Sequence, residues 1–559
     1  MRILTTGILA LFLAACAAPG TSPPADTVVI SVVGTNDVHG ELIPQDDRGG
    51  ILTFSGYVAA LRKAREGDGA VLLVDAGDMW QGTLESNLSE GAPVVLAYNA
   101  LGYDAAAIGN HEFDFGPAGP KSIPVNADDD PRGALKDRAR ETAFPLLNAN
   151  IVQNTTGERV AWDNVRASTM IERAGIDIGL IGVITEMTPA TTIPANISDL
   201  RFAPLAEAII TEAKMLRESG ADLVVVLAHA GGRCTDFDDP SDLSSCNTNA
   251  EIMRVARAIP AGLVDHIVAG HHHNGVAHVV NGIAVTSSYS NTRAFSRVDF
   301  TLDRSSGKVQ DRKIYPPQRN IERDSYEGHA LEPVAAILEI AASARRAADE
   351  LQEQKLGVFL ETPMTGRAGP EFELGNLMTD AVLEQVGGDI SIHNVRGGIR
   401  AELPAGELTY GSVFRMFPFD NRVAVIELSG AELRKIVAKQ AKNTGRWAGF
   451  SGVRIFVDCA GGRMGIRMLR PDGTQISDAD RLDVVVNDFL LLGGDGVLTP
   501  IIPEGGLEVP YDTMLVRDAL VAWFQKRGGR MHADDFLDLQ NPRWNLPQPM
   551  PESCAYKPE

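Results

Sequence analysis

The sequence predicts an α/β protein of two domains joined by a long helix, and three observations carry that expectation. Between residues 27 and 300, β-rich apolar runs of four to eight residues recur, and each stops abruptly at a polar cluster. Helix-like segments such as "VVLAYNALG" lie between some of them. From residue 331 the texture changes to "LEPVAAILEIAASARRAADELQEQKLG", with Ala, Leu, Glu and Arg at helical spacing, followed by a second strand-rich stretch. Runs that apolar are buried on both faces, as in layered α/β folds. A chain of 559 residues is also too long for one ordinary core, given ~100–200 residues per domain.

Each element follows in order. "MRILTTGILALFLAAC" has one Arg and then an apolar stretch too short to span a bilayer, ending in small residues, so residues 1–15 read as a signal peptide. "AAPGTSPPAD" follows as a flexible tether over residues 16–26. The catalytic candidates lie in residues 27–330, in the runs "VVISVVGTNDVHG", "AVLLVDAGDMWQG", "AAAIGNHEFDFG", "ADLVVVLAHAGG" and "DHIVAGHHHN". Residues 331–357 read as one helix ending at Gly357, either a connector or a packing helix. A second domain runs over 358–545. The polar stretch 117–141 follows the third run and reads as a solvated surface insertion or a lid.

Charge and cysteines narrow the function. A net charge of −22 argues against nucleic acid as a partner, because phosphate-backbone binding rests on Lys and Arg. An anionic small substrate then needs local positive charge, from metals or a few placed arginines. Setting Cys16 aside, Cys234, Cys246, Cys459 and Cys554 form an even set in an exported chain, which favours disulfides. Cys234 and Cys246 close one polar loop, and Cys459 with Cys554 follows by elimination.

The strand-end clusters form one inventory. Asp37 and His39 stand two apart, so in an extended segment their side chains point the same way. Asp78, Asn110, His229, His271 and His273 add oxygen and nitrogen donors, each at a strand end. Two close metals need such a set, with one shared carboxylate offsetting their repulsion. Mixed imidazole and carboxylate donors favour Zn, Mn, Co or Fe over Ca or Mg.

In the order "NDVHG", "DAGDMWQG", "GNHEFDFG", "LAHAGG" and "GHHHN", these segments resemble the calcineurin-like metallophosphoesterases. With the second half, the chain is similar to the bacterial 5'-nucleotidase and UDP-sugar hydrolase family. The resemblance implies a four-layer αββα catalytic domain, a linking helix and a smaller α+β C-terminal domain that grips the nucleoside. It implies two divalent metal ions held by Asp37, His39, Asp78, Asn110, His229, His271 and His273, with Asp78 bridging. His111 and Asp114 resemble the catalytic dyad of the family, the carboxylate orienting the imidazole. "FPFDN" and "VNDFLLLGGDG" resemble the segments whose rings sandwich the base, here Phe419 and Phe489, with Asp495 for polar groups of the nucleoside. "LAAC" resembles a bacterial lipobox, which makes Cys16 the lipid-bearing residue; an ordinary cleavage site is the alternative.

Two departures stand out. The last ligand position often carries Gln or Asn in the family, whereas "GHHH" offers His273; His272 points the other way. The family shows Asn, three glycines, Ile and Arg, whereas "HNVRGGIR" displaces Asn394 by one residue and puts Arg396 in place of a Gly. Arg400 keeps its position as a phosphate contact, Arg396 is a second positive group or a solvated one, and Arg367 is a further candidate. The expected function is metal-dependent hydrolysis of nucleoside 5'-monophosphates, extending to UDP-sugars and other nucleotide phosphoanhydrides. The alternatives are a 2',3'-cyclic nucleotide phosphodiesterase with 3'-nucleotidase activity, or a nucleotide-binding surface lipoprotein without turnover. The expected setting is the periplasm or cell envelope, as a monomer that meets the membrane only through its lipid.

Overall fold

A computed structural model describes residues 26–365, 371–443, 448–503, 506–507, 513–547 and 549–556. The signal segment, Cys16, all but the last residue of the tether and Arg367 lie outside the described residues.

The first domain is built on two sheets. One runs, in spatial order, Val309–Ile314, Ala294–Asp303, Thr27–Thr35, Gly69–Asp75, Ala105–Ala107, Leu146–Leu147 and Val165–Arg166. The other runs Gly275–Val280, Ile283–Ser288, His266–Ala269, Leu223–His229, Ile176–Ile184 and Ser168–Arg173. Alternation along the strands sorts side chains between faces. Val28, Ile30, Val32, Leu72 and Val74 meet Ile178, Leu180, Val225 and Leu227 between the sheets. Val33, Val71 and Leu73 turn outward onto the helices Gly50–Arg65 and Ala92–Leu101. Ile181, Val183, Val224 and Val226 turn outward onto Leu205–Glu218 and Glu251–Ala258. The order helix, sheet, sheet, helix gives the four αββα layers, and it explains why the runs are apolar on both faces.

The long helix occupies Ala335–Gln352. Ile337, Ala341 and Ala344 bury into the outer helix layer of the first domain, while Ala348 meets Leu84 and Phe414. It therefore packs and connects at once. Gly357 does not end it: with φ 74° it sits inside the strand Lys355–Leu360, where the pairing register shifts.

Among the described residues the second domain has three small sheets. The largest runs Val423–Ser429, Arg481–Asn487, Ile390–His393 and Gly449–Ser451, with Glu373–Val386 and Gly430–Ala441 among the helices around it. Its limits are wider than 358–545. The strand at Lys355 belongs to it, and Cys554 is buried in its core, bonded to Cys459. Cys234 and Cys246 are also bonded. The 117–141 stretch is not simply solvated: Ile123 is buried and packs with Ile193 into the core of the second domain. No helix among the described residues is long and apolar enough to cross a membrane.

Candidate active site

Parallel strands deliver the site. Thr27–Thr35, Gly69–Asp75 and Ala105–Ala107 run parallel, so their carboxyl ends bring Asp37, His39, Asp78 and Asn110 to one edge. Leu223–His229 and His266–Ala269 run parallel in the other sheet and bring His229, His271 and His273 to face them. Carboxyl ends of parallel strands are where α/β sheets gather ligands.

Asp37 and His39 do not share a side through extended chain, because the strand ends at Thr35. Their φ values are 49° and 51°, and Asp78, His271 and His273 have φ of 60°, 72° and 55°. Left-handed backbone at a non-glycine residue costs on the order of 1–3 kcal/mol and persists only where the surroundings impose it. Here the loops hold one another. The Asp37 N–H donates to Gly77 O at 2.9 Å and the His39 N–H to Asp78 O at 3.0 Å. Gly109 is required by contact, since a Cβ there would lie 2.2 Å from Asp78 Oδ1.

Glu112 binds these loops together. Its buried carboxylate accepts the backbone N–H groups of Asp78, Met79 and Gly109 at 2.8, 2.7 and 2.7 Å. It is the brace between the Asp78 and Asn110 loops.

The donors form two groups, Asp37 with His39 and His273, and Asp78 with His229 and His271; within each, one atom per residue lies within 4.8 Å of the others. Asn110 turns its amide oxygen inward, 3.0 Å from His229 Nε2 and 2.9 Å from His271 Nδ1, because its Nδ2 donates to Thr191 O. The groups fit metal ions on tautomer grounds. His39 Nδ1 lies 2.9 Å from Gln81 O and His229 Nδ1 lies 2.9 Å from Ala76 O. A carbonyl only accepts, so Nδ1 carries the proton and Nε2 of the neutral ring is a lone pair. Those lone pairs face further acceptors: His229 Nε2 lies 3.1 Å from Asp78 Oδ2, and His39 Nε2 lies 3.1 Å from His273 Nε2. Acceptors crowded in a buried pocket repel unless positive charge lies among them. The same demand for positive charge acts on His229: burial opposes its protonation, yet Asp78 lifts its pKa to about 10, so Nε2 takes a proton where no metal ion is bound. His39 is lowered to about 3 by burial and by His273.

Beside this cluster, His111 Nδ1 lies 2.6 Å from Asp114 Oδ2, and Asp114 Oδ1 accepts the Thr192 hydroxyl at 2.8 Å. Burial opposes a charged His111, but Asp114 and Asp78 overcome it and raise its pKa above the usual 6.5.

The second domain closes the other wall of one cleft. Arg400 Nη2 lies 2.9 Å from His111 Nε2, and its guanidinium stands 5.1 Å over the Phe419 ring. Phe419 in turn lies 5.9 Å from the His111 ring. Its turn is fixed from both domains: Pro418 O accepts Gln81 Nε2 at 2.8 Å, and Phe419 O accepts Arg517 Nη1 at 3.0 Å. Phe489 and Asp495 line the same cleft, and Asp495 Oδ2 accepts Asn394 Nδ2 at 3.1 Å. Arg396 lines it too, 5.7 Å over Phe372. His272 is exposed. Gln81, Thr192 and Arg517 are absent from the candidates read in the sequence. Gln81 and Glu112 sit inside the strand-end segments "DAGDMWQG" and "GNHEFDFG", whereas Thr192 and Arg517 carry no local signal.

Comparison with known proteins agrees with this geometry. A family model described as calcineurin-like phosphoesterase matches residues 30–275, and one described as 5'-nucleotidase, C-terminal domain, matches residues 355–501. Protein UshA of Yersinia enterocolitica is 27% identical over 534 residues, covering 88% of this chain and 91% of that one. The 5'-nucleotidase of Vibrio cholerae is 26% identical over 541 residues, covering 88% and 90%. The crystal structure of a 5'-nucleotidase precursor from Thermus thermophilus shares the fold, with a TM-score of 0.70 at 23% identity, over 90% of this chain and 97% of that one. Along one chain the protein carries a calcineurin-like phosphoesterase domain followed by a 5'-nucleotidase C-terminal domain, and it is a hydrolase.

Proposed function

We propose that the protein hydrolyses nucleoside 5'-monophosphates to nucleoside and phosphate with two divalent metal ions, and that UDP-sugars and other nucleotide phosphoanhydrides are further substrates. The observation that carries this reading is a single cleft in which buried, mutually repelling donors face an arginine and two aromatic rings of the second domain. Asp37, His39 and His273 would hold one ion and Asp78, His229 and His271 the other, with Asn110 beside the second group; the donor types suit Zn, Mn, Co or Fe. Such ions neutralise charge on the transferring phosphoryl group and lower the pKa of bound water.

The chain supplies the rest. His111 takes up a proton with the help of Asp114 once the Arg400 guanidinium, which donates to Nε2 here, turns to the phosphoryl group; Nε2 then donates to the leaving oxygen, and Thr192 fixes the carboxylate behind it. Arg400 converges on the same point and can donate to a phosphoryl oxygen. Phe419 and Phe489 take the base, and Asp495 takes polar groups of the nucleoside. The tight Gln81 and Pro418 contact closes the domains over the substrate. The chain acts as a monomer, exported on residues 1–15 and anchored through Cys16.

The test is release of phosphate and nucleoside by the metal-loaded enzyme from AMP, UDP-glucose and 2',3'-cyclic AMP. Turnover of AMP with UDP-glucose supports the reading. Exclusive turnover of the cyclic nucleotide replaces it with the phosphodiesterase, and binding without turnover replaces it with a binding protein.

A further inference from the structure

The cleft extends past the metal-binding cluster. Its volume of about 1240 Å³ exceeds the ~300–1,000 Å³ that commonly holds a drug-sized ligand. Beyond His39 it opens into a lobe lined by Glu41, Asp46, Arg48, Glu85, Arg293 and Arg415.

Contacts give the order along the cleft. On one side the segment of Asp495 packs by Thr188–Ala190, and Thr192 leads to Asp114 and His111. On the other side the Asn291 N–H donates to Asp37 O at 2.7 Å, which sets the loop of Arg293 beside the Asp37 end. The lobe therefore lies across the cluster from Phe489 and Asp495.

Three arginines converge in the lobe, and two are neutralised. Arg48 pairs with Glu41 at 2.9 Å, and Arg293 with Asp47 at 3.3 Å. Arg415, on the helix Tyr410–Met416, makes no hydrogen bond or ion pair with any described residue. Burial and the like charge of Arg48 both disfavour its guanidinium, and Asp46, Glu85 and Glu41 act on it only from beyond ion-pair distance. A partly buried cation in that position is suited to an anion brought by a ligand, and the planar guanidinium fork matches a phosphoryl group.

We propose that Arg415 anchors a distal subsite for a phosphoryl-bearing group on the far side of the scissile phosphate, so that nucleoside diphosphate esters span the cleft from the base clamp to the lobe. The proposal rests on the function set out above. For UDP-glucose the reaction uses one water. Its oxygen bonds to phosphorus, the bond from that phosphorus to the bridging oxygen breaks, UMP and glucose 1-phosphate leave, and both protons of the water pass to solvent.

The experiment compares wild type, Arg415→Ala and Arg415→Lys, metal-loaded and checked for fold by circular dichroism, on AMP and UDP-glucose, with glucose 1-phosphate as an inhibitor of AMP hydrolysis. In Arg415→Ala the ratio of KM for UDP-glucose to KM for AMP rises roughly 10- to 100-fold, the scale of one charge-assisted contact. Inhibition by glucose 1-phosphate weakens in parallel, and Arg415→Lys restores part of both. Equal shifts for the two substrates make Arg415 a domain-closure residue that pairs with Asp46 or Glu85, and an unchanged ratio leaves the lobe unused; either overturns the proposal. A wild type that turns over AMP alone overturns the distal subsite but not the nucleotidase reading, whereas one that turns over neither overturns both.

Discussion

The two walls of the cleft are held by different means. On the first domain, the cluster around Asp78 is locked by backbone: five residues carry left-handed φ, and Glu112 gathers three N–H groups from two loops. On the second domain, Phe419, Phe489 and Asp495 are placed by side chains and turn carbonyls, through Arg517, Gln81 and Asn394. Phosphoryl chemistry demands donors held to fractions of an ångström, which a strained and braced backbone provides. Base stacking tolerates different bases and some slack, and a half-buried pair of rings suffices. The difference separates chemistry from selection along the domain boundary.

The comparison predicts a graded series of losses. Asp78→Ala has the largest effect, removing metal together with activity. Several kcal/mol of charge stabilisation disappear, so turnover of AMP falls on the order of 10³-fold or more, measured beside metal content by mass spectrometry. His111→Ala follows, with turnover lower by roughly 10²–10⁴-fold and metal content unchanged. Equal metal loss in these two variants would break the assignment of His111 to proton transfer.

Glu112→Gln sharpens the claim about the brace. An amide keeps one acceptor oxygen and turns N–H groups toward the remaining backbone donors, so at least one of the three contacts becomes repulsive and the brace weakens. Metal affinity should fall roughly 10- to 100-fold, as for other groups that orient ligands without touching the ion. Metal titration of the folded variant reads this directly, and unchanged affinity would leave Glu112 a packing residue. Phe489→Ala has the smallest effect on chemistry. KM for AMP rises roughly 10-fold, given ~1–3 kcal/mol for one stacking contact, while hydrolysis of bis-p-nitrophenyl phosphate changes much less. A matching loss on both substrates would place the ring in the catalytic machinery and erase the contrast between the walls.

Legibility in the sequence tracked the same divide. Each donor of the first wall follows closely on an apolar strand, so a continuous apolar run that stops at a polar corner marks it without any tertiary knowledge. Arg517 and Thr192 have no such marker, because each acts on a partner far along the chain: Arg517 on Phe419, Thr192 on Asp114. Glu112 was visible inside "GNHEFDFG", but its partners are backbone groups, which no side-chain pattern announces.

Local pattern alone determined the α/β class, the strand ends that carry the donors, the helix that follows the first domain and the cysteine pairing across the 234–246 loop. These follow from apolar runs, helical spacing and short loop closure, all set by near neighbours in the chain. Tertiary structure decided what depends on distant segments meeting. It turned the Asp37 and His39 corner into left-handed loops, converted Gly357 from a helix end into a strand bulge, buried Ile123 of the 117–141 stretch against the second domain and carried that domain on to Cys554. It also left Arg415 without a hydrogen bond or ion pair to any described residue, because the carboxylates that face it, Asp46, Glu85 and Glu41, stand beyond ion-pair distance.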